Sequence, residues 1–161
     1  MATVEENKPL TLQGARSMGH MALHYRNKEE GPLAARLMTM LGYELTQDLI
    51  LEDGSHFYRF VVDPRHAPRG DGIVYLAVMP EAQRALLEAI HGALKVGQPD
   101  QHPAVTAMHE KMAQDPEYSF HYGTLLESLE DLEAIFVQLD EANRNDPQLK
   151  GRLKLGYNRP L

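Results

Sequence analysis

Apolar and polar positions alternate through His20-Met21-Ala22-Leu23-His24-Tyr25, which predicts a strand over about 18–26 with its histidines on one face. The period then changes. Leu33, Leu37, Met38 and Leu41 recur at helical spacing, Asn27 and Glu30 stand as a capping box, and Gly42 supplies the stop. Pro32 offers a second way to start that helix, as its first residue. Two β-rich runs follow, Tyr43 to Leu51 and His56 to Val62, joined through Asp53-Gly54, a hairpin signal. Pro64 to Gly72 reads as a loop. Ile73 to Met79 is the most apolar run, and therefore a central strand. The first half reads βαβββ.

Pro80 opens a second helix with Ala82, Leu86, Ile90 and Leu94 on an expected buried stripe. After a turn-rich stretch, 103–114 predicts a third helix with Val105, Met108 and Met112 inward. The element that begins the chain's pattern then recurs. With His20 laid on His121, Asn27 falls on Ser128 and Glu30 on Asp131, and Leu132, Ile135, Phe136 and Leu139 form another apolar helix face. Beyond Pro147 there is room for one strand, with Leu149, Gly151, Leu153 and Leu155 on one side. The expected fold is α+β: an arm over 1–17, a βαβββ module with a curved mixed sheet over 18–80, a helical insert over 81–115, and a shortened βαβ module over 116–161.

Composition narrows the function classes. The net charge of −7 and the scattered basic residues (Arg65, Arg69, Lys150, Arg152, Lys154) speak against nucleic acid, which is met by a basic face. No apolar run approaches the ~20 residues that span a bilayer. The first residues lack the basic and apolar regions of a secretory leader, so a cytoplasmic location is expected. The absence of cysteine excludes disulfides, thiolate ligands and a cysteine nucleophile. No phosphate-loop, dinucleotide, zincin or nucleophile-elbow motif occurs.

Eight histidines are the unusual count. His20 and His24 share a strand face but sit about 13 Å apart at ~3.3 Å per residue, too far to chelate one ion. A metal site needs one of them with ligands from elsewhere, and His121 is the obvious second. The plainer alternative is a histidine satisfied by backbone. On the second hairpin strand His56, Tyr58 and Phe60 share one face, and Phe57, Arg59 and Val61 the other. Such alternation suits a ligand cavity, with Arg59 or Tyr58 orienting an anionic or carbonyl group, or simply a sheet face packed on a helix. His66, between Arg65 and Arg69, lies on a loop that reads as a lid or as solvated surface. Glu81 sits at a helix N-terminus, where the macrodipole alone favours a carboxylate.

The strand–helix pattern Gly19 to Gly42, the Asp53-Gly54 hairpin, the run Gly72 to Met79 and the second unit His121 to Leu139 resemble the vicinal-oxygen-chelate superfamily of glyoxalases, bleomycin-resistance proteins and extradiol dioxygenases. In that family βαβββ units form halves of a cup around a divalent metal, with histidine ligands on the opening strands. The resemblance implies a metal (Zn, Ni, Mn or Fe) held by His20, His121 and Glu81. Substrate contacts from His56 and Arg59 are expected from the strand alternation, and the resemblance adds His24 or Tyr58 as proton carrier or hydrogen-bond donor. The activity implied is that of a lyase, isomerase or dioxygenase on a small oxygenated molecule. The alternative is a metal-free binding protein of the same fold that sequesters a small ligand. Because the second unit ends early, a homodimer in which a second copy completes the cup is also expected.

Overall fold

The strand expected over 18–26 is β1, His20–Tyr25, in the computed structural model of the chain, which describes residues 18–156. The arm over 1–17 lies outside the described residues. Asn27 makes no side-chain cap. A single 3-10 turn, Lys28–Glu30, comes first, with the Glu30 N–H donating to the Asn27 carbonyl at 2.9 Å. The helix α1, Gly31–Met40, then begins with Pro32 in its first turn, where the missing N–H would have been an orphan donor. Gly31 is required by a close approach: a Cβ there would stand 3.0 Å from the Tyr25 ring.

The hairpin forms as the Asp-Gly signal predicts. β2 is Glu44–Ile50 and β3 is His56–Val61, and Gly54 takes the left-handed φ of 78° that the turn demands. A bulge between Leu45 and Gln47 leaves Thr46 as the extra residue of β2. β4, Ile73–Val78, returns parallel to β1 and antiparallel to β3, giving the order β1-β4-β3-β2. The most apolar strand is therefore an inner one, as its sequence implies.

The core lies between α1 and one face of this sheet. Ala35 and Met38 from the helix pack with Tyr25, Tyr58, Phe60, Val74 and Leu76 from the strands. Tyr25 also finishes the sheet's hydrogen bonding. The β3–β4 ladder ends at Phe57, and the Tyr25 hydroxyl takes the next rung by donating to the His56 carbonyl at 2.6 Å and accepting from the His56 N–H at 2.9 Å. Burial raises the pKa of that phenol.

The second half departs from its pattern. The helices α2 (Glu81–Ala93), α3 (Pro103–Gln114) and α4 (Leu129–Asn145) form near the expected places. The α2 stripe is not buried, however: Leu86 is 61% and Ile90 43% exposed, and α2 has no buried residue. On α3 only Val105 is buried, while Met108 and Met112 are exposed. The Ser128 cap is as expected, its Oγ accepting from the Asp131 N–H at 3.0 Å and donating to that residue's carboxylate at 2.7 Å.

Neither strand of the expected second βαβ module forms among the described residues. The segment from Ser119 to Glu127 is irregular and is tied down by side chains: Tyr43 Oη lies 2.5 Å from Thr124 Oγ1, and Arg65 donates to Glu127 at 2.6 Å. The Leu149–Leu155 run is likewise coil, its backbone at Leu153 satisfied twice by the Asn143 side-chain amide at 2.9 Å. Two short strands without further neighbours make a ribbon too small to hold in water, so local side-chain bonds prevail. No helix of the described residues is long and apolar enough to cross a membrane.

Candidate functional site

One face of the sheet carries α1, and the other presents a row of aromatic and basic side chains. The pleat puts His20, Ala22 and His24 of β1 on that second face, and the pairing register places Ala22 beside Tyr75 and His24 beside Ala77. Across β4, Tyr75 pairs with Arg59 and Ala77 with Phe57. The rings touch in sequence: His20 meets Tyr75 edge-on and Phe57 tilts against Tyr75, each with centroids 5.3 Å apart. Small side chains adjoin Tyr75, Ala22 beside it on β1 and Ala77 two residues on along β4. At the amino end of β4, Ile73 and Val61 of this face are buried, while His20 and His24 are exposed.

Arg59 is held in this row by the bulge. Thr46 Oγ1 accepts from Arg59 Nη1 at 2.8 Å and donates to the Arg59 carbonyl at 3.0 Å. A regular ladder would have no extra residue at that point, so the bulge is what aims the hydroxyl.

The pleat separates residues expected to work together. His56 and Tyr58 lie on the α1 side. The His56 Nδ1 is 2.7 Å from Asp48 Oδ1 and its ring stacks on Tyr58 at 5.3 Å. Tyr58 is 2% exposed, and burial first, then the nearby Asp48 charge, pushes its pKa up to about 12. Buried beneath α1, Tyr58 cannot reach a ligand on the face that carries His20 and His24. Of the expected substrate and proton-carrying residues, His24 and Arg59 share that face.

The three expected metal ligands do not meet either. His20 pairs with the first residue of β4, whereas Glu81 follows its last, so roughly 17 Å of strand separates them. Glu81 accepts from Arg84 at 2.8 Å in the first turn of α2. His121 is exposed in the irregular segment, its Nδ1 donating to the Ser119 carbonyl at 3.1 Å. The side chain on β4 that does meet His20 is Tyr75, where a metal site of the expected type would want a carboxylate or imidazole. Among the described residues no three His, Asp or Glu side chains are grouped to hold an ion. The donor set does not fit the metal that the resemblance implies.

Several cavities lie elsewhere, and in two of them the arginines or hydroxyls already pair with protein groups. One, of about 510 Å³, sits where β1 and β4 end, lined by Arg26, Lys28, Asp53, Glu81 and Arg84. Its arginines pair with Glu88 and Glu81. The other, of about 310 Å³, lies beneath 122–125 and includes Tyr43, Thr124, Asp63 and His66. There Tyr43 and Thr124 bond each other, and Arg65 holds the Asp63 carboxyl down at about 2. On the sheet face opposite α1, by contrast, no protein group hydrogen-bonds the rings of His20 and His24 among the described residues. Tyr75 and Phe57 were legible as strand residues; the missed signal was that they flank Arg59 across two strands, which needs the register.

Comparison with known protein families, with curated proteins and with solved structures yields no match.

Proposed function

We propose that this protein is a small-ligand-binding protein of glyoxalase-like βαβββ type, holding a partly aromatic, oxygenated molecule on the sheet face opposite α1 without a metal. The observation that carries this reading is the continuous row His20–Tyr75–Phe57 with Arg59 beside it, on a face where the histidine ring nitrogens have no hydrogen-bond partner among the described residues. A row of rings in edge-on and tilted contact offers an apolar surface, and the histidines and arginine offer directed hydrogen bonds; recognition sites combine those two features. The strand order β1-β4-β3-β2, with β1 and β4 parallel, agrees with a βαβββ unit of that kind.

A sheet face covers a ligand from one side only, which favours weak binding unless something closes over it. A second copy of the chain laid over the face completes the site in this reading, so the protein is expected to be a homodimer. Sedimentation at micromolar concentration tests that part; a monomer contradicts it.

The binding reading is tested by thermal stabilisation in EDTA with a panel of small aromatic and dicarbonyl compounds. Stabilisation that persists in chelator supports it. A flat response in EDTA, with stabilisation restored only by Ni²⁺, Mn²⁺, Fe²⁺ or Zn²⁺, returns the metal-dependent lyase, isomerase or dioxygenase to first place.

A further inference from the structure

Eight arginines fall among the described residues, and seven of them face a carboxylate: Arg26, Arg36, Arg65, Arg69, Arg84, Arg144 and Arg152. Arg59 alone of the eight has none within ion-pair distance. In a chain of net charge −7, acidic partners are plentiful, so an arginine on a sheet face without one is a departure that asks for a cause. Its pose is also fixed. Thr46, carried on the bulge, occupies Nη1, and leaves the Nε–Nη2 edge that forms two parallel bonds to a carboxylate. Directly across the β3–β4 pair stands Tyr75, with Phe57 against it.

We propose that the ligand is a planar aromatic monocarboxylate, its carboxylate on Arg59 and its ring on the Tyr75–Phe57 platform. This rests on the reading of the sheet face opposite α1 as a small-ligand site and adds the charge and shape of what binds there. A single arginine matches a single negative charge. The acidic chain as a whole disfavours dianions and polyphosphates, which need several cations. The carboxylate plane suits the guanidinium fork, and the side chain that pairs with Tyr75 on β1 is only Ala22, which leaves the Tyr75 ring unshielded on that side for a flat ring to stack on.

The test is isothermal titration of the full chain in EDTA with benzoate, benzamide, cyclohexanecarboxylate and phenyl phosphate. Benzoate is expected to bind most tightly, with benzamide weaker by roughly tenfold or more, the loss of one charged hydrogen-bonded pair. Arg59→Met should remove that preference for benzoate over benzamide, and Arg59→Lys should keep the charge but lose most of the preference. Thr46→Val, which leaves the arginine in place but frees it, should reduce the preference partway, and serves if the Arg59 variants misfold. Benzamide binding as well as benzoate, with Thr46→Val and Arg59→Lys unchanged, overturns the anion assignment while leaving the small-ligand site standing. A preference for phenyl phosphate overturns the monocarboxylate. Equal binding of cyclohexanecarboxylate overturns the aromatic part. Heat signals from none of the four, in a protein shown folded by circular dichroism, sink both this assignment and the site beneath it.

Discussion

Single residues decide which side of the sheet is chemistry and which is core. Tyr58 and Arg59 are neighbours in sequence, yet one is buried under α1 and the other faces the ring platform, because the pleat reverses direction at each residue. Tyr58 has a consequence in alkaline solution. Its folded-state pKa, near 12, lies above the ordinary phenol value of 10, so the folded protein keeps that proton longer than the unfolded chain. The associated stability is complete below pH 10 and is lost as pH rises from 10 through about 12. Tyr122, also raised to about 12, adds to the same decline. Urea midpoints at pH 9 and pH 11.5 should show a fall that is smaller in Tyr58→Phe than in the parent. An identical fall in both would place the effect elsewhere.

Elements show where local pattern suffices and where it does not. The cap of α4 was readable from Ser128 and Asp131 alone, since both partners lie within one turn. Ser128→Ala is expected to destabilise by about 1 kcal/mol in denaturant unfolding. The hairpin was readable from Asp53-Gly54, because the turn conformation is set by those residues. The stripe of α2 was readable as an amphipathic face, but burial requires a partner element, and periodicity carries no information about one. Leu86→Gln should therefore shift stability by no more than about 0.5 kcal/mol, as at a surface position, where a core leucine would lose several. The strand expected at His121 from its likeness to the His20 segment does not form, and among the described residues no neighbouring strand is there to receive it. Tyr25 is the opposite case, a residue at the end of β1 whose role is non-local. Tyr25→Phe keeps the ring and removes the oxygen that satisfies the His56 N–H and carbonyl, and should destabilise by about 1–3 kcal/mol by thermal or urea unfolding.

At the scale of the whole molecule, one βαβββ sheet supplies both a core and a surface. α1 closes the first face around Phe60 and Val74, and the second keeps a ring platform with a fixed arginine. The sequence repeat at His20 and His121 suggested two modules meeting at an ion, but among the described residues only the first has the strands to make a sheet, and Glu81 lies apart from His20. What remains of the expected site is His20, His24 and Arg59, joined by Tyr75 and Phe57 through strand register. The most direct measurement is amide chemical-shift mapping of the protein in EDTA as benzoate is added. The account predicts shifts concentrated on His20–His24, Phe57–Arg59 and Tyr75–Ala77, with the hairpin bulge at Thr46 following. Shifts confined to the cavities at Arg84 or Thr124, or seen only after a divalent metal is restored, would contradict it.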